Sequence, residues 1–124
     1  MDFLKKKGLT DTFDQIVVPG ASLAISYDIY QKKEFSYWPH TTLQQIEIMV
    51  KLHNIKKIIF FDHLGCCMHK VVFGIKSNTE EFNKHLEIMK IAKQRIQKKL
   101  GSSMLVQFQG YILNFDGNIW SVAI

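Results

Sequence analysis

The chain has little cysteine, little proline and almost no arginine, and each shortage excludes something. Its two cysteines, Cys66 and Cys67, are adjacent. A bridge between neighbours strains the backbone, so a disulfide-stapled scaffold is excluded and the thiols point toward metal or redox chemistry. There are only two prolines, Pro19 and Pro39, and no internal repeat or low-complexity linker. Both features argue against a disordered or multi-domain chain. Arg95 is the single arginine, although the formal charge is +5. Bidentate recognition of phosphate and guanine favours arginine, and the lysines are dispersed, so a solvated basic surface is expected rather than a nucleic-acid partner. No apolar run approaches the ~20 residues of a membrane-spanning helix. The opening Met1-Asp2-Phe3-Leu4-Lys5-Lys6-Lys7 has no apolar stretch after its lysines to act as a secretory signal. A cytoplasmic protein with no membrane partner is expected.

Hydrophobic residues are abundant, at 47% of the 124 residues, with 12% aromatic. That supplies one real core, and residues 1–124 are expected to form a single domain. Residues 3–7 read as the end of a helix stopped by Gly8. Asp14-Gln15-Ile16-Val17-Val18 is a β-branched run broken by Pro19-Gly20 and reads as a strand, with a helix beginning near Ala21. Thr41 and Thr42 each have a glutamine three residues on, a capping-box pattern, and Leu43, Ile46, Met49, Val50 and His53 then follow at helical spacing. Ile58-Ile59-Phe60-Phe61 is a continuous apolar strand, as expected for a parallel strand covered on both faces. Ser77 and Glu80 form a second capping box opening the longest helix, whose stripe is Phe82, Leu86, Met89, Ile96 and Leu100, with Gly101 as its stop. Residues 104–115 read as a strand, Asp116-Gly117 as a hairpin turn and residues 119–122 as the return. This order predicts an α/β domain: a mostly parallel sheet, flanking helices and an antiparallel C-terminal hairpin.

In open α/β sheets, binding residues gather at the carboxyl ends of strands, and Asp62-His63-Leu64-Gly65-Cys66 falls there. Imidazole and thiolate are both good zinc ligands, and a tight loop can aim His63 and Cys66 at one point, with Asp62 orienting a ligand from behind. Equally, His63 could be a strand-end cap and Cys66 a small buried hydrophobe. Among the other histidines, His40 reads as a surface residue and His53 as a cation suited to the end of a helix dipole. His85, beside Lys84, reads as solvent-facing. Met49 and Met89 read as core packing.

The segment Ile-Lys-Lys-Ile-Ile-Phe-Phe-Asp-His-Leu-Gly-Cys, residues 55–66, resembles the β-class carbonic anhydrases, in which an apolar strand runs into a His-x-x-Cys zinc pair. Pro19-Gly20-Ala21-Ser22 is similar to the turn before an active-site helix in the small carbonic-anhydrase-like branch. The helix over residues 41–53 matches the element leading into the zinc-site strand. The resemblance covers roughly residues 3–75 by motif. It implies a β-carbonic-anhydrase-like fold and zinc held by His63 and Cys66. Gly20, Ala21 and Ser22 would line the substrate side, and carbon dioxide and bicarbonate would be the substrates, interconverted by zinc-bound hydroxide. It also implies a homodimer contact at the aromatic stretch 27–38.

Two family features are unmatched. A first strand carrying Cys-x-Asp-x-Arg, which supplies another zinc thiolate and an Asp–Arg pair, has no counterpart before Asp14, so the chain is expected to be N-terminally truncated relative to the family. The family's glycine after the zinc cysteine is Cys67 here. Matching thus supplies two of the three protein ligands that a catalytic zinc site takes. Cys67, Asp62 and His69 remain as third candidates, with His69 the more readily placed as an exposed helical histidine. The expectation is a carbonic-anhydrase-like zinc protein whose activity these residues alone leave incomplete. The alternatives are a non-catalytic binding or assembly module that keeps the fold, and thiol chemistry at Cys66-Cys67, which lacks the Cys-x-x-Cys spacing.

Overall fold

The computed structural model describes residues 2–6, 13–26, 37–102 and 104–124. In chain order these form α1 (Asp2–Lys6), a 3-10 helix (Ala21–Ile25), α2 (Trp38–His53), β1 (Lys57–His63), α3 (Cys67–Phe73), α4 (Asn78–Leu100), β2 (Gln107–Leu113) and β3 (Ile119–Val122). The sheet order is β1-β2-β3, with β1 and β2 parallel and β2 and β3 antiparallel. It is a mixed sheet with one pair of each kind, rather than mostly parallel. The α/β class and the C-terminal hairpin are as expected. Among the described residues no helix is long and apolar enough to cross a membrane.

Alternation along β1 decides what reaches the core. Successive side chains point to opposite faces of a strand, so Phe60 and Asp62 turn inward and are buried, while His63 turns outward and is exposed. β1 is not covered on both faces, as its unbroken apolar run suggested. It lies at the sheet edge among the described residues, and its other face is only half-buried. There Phe61 stacks on Tyr111 and Phe3 of α1 meets both rings edge-on.

The inner face carries the main core, where Phe60 and Ile112 of the sheet pack with Val50 of α2 and Met89, Ala92 and Ile96 of α4. A second cluster joins Leu23 and Ala24 of the 3-10 helix to Ile88 of α4, with Met68 and Val72 of α3 against them. Leu23, Ile88, Met89, Ile96 and Ile112 are essentially inaccessible to solvent, each burial stabilising by roughly 1.5–3 kcal/mol. Gly110 of β2 faces the Met89 side chain of α4 with no room for a Cβ. A Cβ there would come within 2.8 Å of the Met89 sulfur and 2.9 Å of a Val122 methyl. Gly110→Ala should therefore overpack the core and cost about 1–3 kcal/mol, read from a denaturant midpoint at unchanged slope.

Ser77 caps α4 as its box predicts, accepting the Glu80 N–H at 3.2 Å. The other helix starts differ from expectation. α2 begins at Trp38, with Tyr37 as its cap and Pro39 in the first turn. Proline suits that position because the N–H it lacks would be unpaired anyway. Thr41 therefore lies inside the helix and returns its hydroxyl to the Tyr37 carbonyl. Residues 14–18 form no strand: Val17 is 80% exposed, and no neighbouring strand pairs with the segment among the described residues. Gly8 and residues 27–36 of the expected dimer contact lie outside the described residues.

Candidate functional site

The inward turn of Asp62 places a carboxylate against two histidines and a glutamate. The Ser22 hydroxyl donates to Asp62 Oδ2 at 2.6 Å, and the Ser22 backbone N–H donates to Oδ1 at 3.3 Å. His85, on α4, donates from Nδ1 to the same Oδ2 at 2.8 Å and from Nε2 to Glu81 Oε2 at 3.1 Å. The Glu81 carboxylate also accepts the backbone N–H of Gly65 at 3.0 Å and of Cys66 at 3.3 Å. Ser22, Asp62, Glu81 and His85 are all buried. This one network ties the 3-10 helix, the end of β1, the loop after it and the start of α4.

The electrostatics follow from these partners. An imidazole facing a carboxylate on each nitrogen must donate from both, which is the charged form. Burial alone would lower the pKa of His85, but the hydrogen bond to Asp62 and its charge, then those of Glu81, outweigh it and raise it. Burial likewise opposes ionisation of Glu81. The Gly65 N–H, His85 and the Cys66 N–H more than offset it and hold the carboxyl below its usual range. Burial pushes the Cys66 thiol up, against the lowering effect of the His69 and Met68 backbone N–H groups, and the Asp62 and Glu81 charges push it further.

His69, on α3, stacks on His85 with ring centroids 3.8 Å apart and planes inclined by 27°. It is wholly buried, and neither ring nitrogen has a hydrogen-bond partner. Burial, followed by the His85, His63 and Lys84 charges, pushes its pKa down to about 3. It is a neutral imidazole with two unused polar atoms. Asp62, His69 and His85 each offer one ligating atom, and these all lie within 4.8 Å of one another. Such a buried Asp/His/His group could bind a metal ion.

The expected site residues separate. His63 is exposed, its Nδ1 donating to the Leu64 carbonyl at 3.1 Å and its ring 5.9 Å from that of Phe115. Cys66 is buried at the start of α3 and Cys67 is exposed. Gly65 makes the turn between β1 and α3 at φ +79°, a left-handed conformation that favours glycine. Gly20 and Ala21, also at positive φ, turn the chain into the 3-10 helix and so deliver Ser22 to Asp62. Of the residues singled out from the sequence, the structure directly joins Asp62 and Ser22. Neither His63 nor Cys66 falls in the three-donor group.

Two histidine readings are corrected. His85 is not solvent-facing and His69 is not exposed. Glu81 and His85 were missed as members of the site. One signal was present: Glu81, His85, Ile88, Ala92 and Ile96 form an unbroken helical stripe whose first two positions are charged, so the core face continues through them. A groove at the opposite end of β1, lined by Lys56, Lys57 and Lys98, offers no histidine, cysteine or carboxylate.

No family model and no solved structure matches the chain. It is 35% identical over 117 residues to an uncharacterized protein of Rickettsia conorii, a match covering 92% of this chain and 59% of that protein. It is 34% identical over 119 residues to an uncharacterized protein of Rickettsia bellii, covering 94% of this chain and 68% of that protein. With that identity sustained along nearly all of its length, the chain belongs to the family of the Rickettsia bellii protein.

Proposed function

We propose that the chain is a carbonic-anhydrase-like zinc protein in which His63 and Cys66 are ligands. The observation that carries this reading is the construction of the His-x-x-Cys loop. The Glu81 carboxylate holds the backbone N–H groups of Gly65 and Cys66, fixing the loop at the carboxyl end of a parallel strand. Imidazole and thiolate are both donor types that zinc takes. Because Nδ1 of His63 is committed to the Leu64 carbonyl, a neutral ring presents its lone pair at Nε2, toward solvent. Cys66 supplies the softer donor from the start of α3, where burial and the Asp62 and Glu81 charges hold its thiol up against the His69 and Met68 backbone N–H groups, so a bound ion has to displace its proton.

When bound, zinc would supply the Lewis acidity that brings the pKa of water toward ~7, the condition for interconverting carbon dioxide and bicarbonate. The residues of this chain hold and orient: Glu81 sets the loop, and His85 and Ser22 set Asp62 behind it. Two protein donors fall short of the three a catalytic zinc takes, so hydration activity depends on a donor beyond these two. A second, non-catalytic reading rests on one observation. Among the described residues the three-donor group contains neither His63 nor Cys66.

Elemental analysis of tag-free protein purified without added metal separates the two readings. The zinc reading expects about one zinc per chain at this loop, lost in both His63→Ala and Cys66→Ala. Zinc content unchanged by either substitution, or no zinc in folded protein, would leave the fold as a non-catalytic module.

A further inference from the structure

The wholly buried His69 leaves both ring nitrogens without partners, where such atoms ordinarily find a hydrogen bond. Beside it, one nitrogen of His85 and one oxygen of Asp62 lie within ligating reach. The other nitrogen of His85 already rests on the Glu81 carboxylate. A carboxylate behind a histidine whose second nitrogen faces a ligand position is the arrangement that orients metal-bound imidazoles. Two imidazoles and a carboxylate suit divalent zinc and its first-row neighbours, and not the hard cations calcium and magnesium, which take oxygen. We propose that Asp62, His69 and His85 form a buried site for a divalent transition ion of the zinc class, with Glu81 as the positioning residue for His85. This site stands independently of the His63–Cys66 reading.

The geometry needs a small rearrangement. Ligand atoms around a tetrahedral ion with bonds of about 2.1 Å lie about 3.4 Å apart, so the 2.8 Å contact between His85 Nδ1 and Asp62 Oδ2 opens while the wider separations, up to 4.8 Å, close. His69 can supply the closing shift by side-chain rotation, having no hydrogen bond to break. As the ion binds, the Nδ1–H bond of His85 breaks and the proton leaves to solvent. The nitrogen lone pair then forms the new bond, and Asp62 Oδ2 exchanges its contact with Nδ1 for one with the ion. Ser22 continues to hold Asp62, and Glu81 keeps the remaining His85 proton. The group is closed to solvent, so uptake requires local opening, and α3, seven residues long and carrying His69, is the cover that opens.

Cobalt(II) is the probe, because its visible spectrum reports coordination and a near-ultraviolet thiolate band reports cysteine. His63→Ala removes an exposed residue and leaves the buried group intact. Full-length His63→Ala protein should bind cobalt, giving visible bands without a thiolate band. Glu81→Gln should weaken binding by about 10–100-fold, and His69→Leu should abolish it. In parallel, zinc added to isotope-labelled wild-type protein should move the ring-nitrogen resonances of His69 and His85 and leave that of His40 in place, a readout needing no variant to fold. A thiolate band in His63→Ala would place the metal on a cysteine and overturn the proposal. So would cobalt binding retained in His69→Leu, or His69 and His85 resonances unmoved by zinc, which would assign the free nitrogens to a buried water.

Discussion

His85→Leu is expected to cost about 3–5 kcal/mol, the usual penalty for removing one partner from a buried ion group. In the native protein the ring spans Asp62 and Glu81 at 2.8 and 3.1 Å, and all three side chains are buried. Taking the cation away leaves two carboxylates in the same closed space. Each keeps part of its support, Asp62 from Ser22 and Glu81 from the Gly65 and Cys66 N–H groups, and this should hold the cost within that range. Domains of this size are stable by about 5–15 kcal/mol in total, so the variant should approach the threshold of unfolding. Urea unfolding of wild type and His85→Leu at about pH 6 is the measurement, with the reference His of pKa about 6.5 in the unfolded chain. A cost below about 1 kcal/mol would mean the ring bridges no charge.

The pH dependence of that cost has a definite sign. The pKa of His85 is raised in the fold, so the folded protein binds its proton more tightly than the unfolded chain. The associated stability is fully present below the unfolded pKa of about 6.5 and is lost as pH rises through the folded value. The penalty of His85→Leu should accordingly be greatest in mild acid and shrink toward alkaline pH. Glu81, with its carboxyl held low, runs the other way: its stability is present above the unfolded carboxyl pKa and is lost as pH falls through the folded value.

What the sequence shows of this molecule follows the reach of its signals. β1, α4 and the hairpin are legible because each carries several independent cues: an unbroken apolar run, a Ser77–Glu80 cap with a long stripe, and an Asp116-Gly117 turn between alternating segments. Residues 14–18 carry only β-branched propensity, which expresses itself when a neighbouring strand offers packing, and among the described residues none does. α3 is short, seven residues, and opens on Cys66 rather than on a serine, threonine or aspartate, so no capping signal announces it. The site divides in the same way. Asp62 could be singled out because the end of a strand is a place where polar groups are put to use, and Ser22 through the resemblance of the turn that carries it. His69 stands among the third-ligand candidates but reads as exposed, and His85 is hidden by its charged neighbour Lys84, although burial depends on which helix face each occupies. A histidine four residues after a glutamate, on a stripe that continues into isoleucine and alanine, is the pattern that identifies the buried His85.

His69→Leu, assayed with chelator present, should stabilise the protein, and should do so more strongly in acid. At neutral pH the gain comes from removing two buried nitrogens that have no partners. An unsatisfied buried polar group costs about 1–3 kcal/mol. Against this stand the lost stacking on His85 and the edge contact with Phe73, whose ring centroid is 5.5 Å away, so a net gain of about 1 kcal/mol is expected. Lowering the pH adds a second contribution. The His69 pKa falls from 6.5 to about 3 on folding, so the unfolded chain takes up a proton that the folded protein refuses. Stability is therefore intact above about 6.5 and drains away as pH falls toward the folded value, by about 2 kcal/mol between pH 7.5 and pH 5. Leucine cannot make that exchange, so the advantage of the variant should grow from about 1 to about 3 kcal/mol over the same interval. Urea midpoints of both proteins across the range decide the matter. Parallel curves would show that His69 charges as readily inside the fold as outside it. The two free nitrogens would then have to be satisfied by water, and the closed, unpaired imidazole on which the metal site depends would not exist.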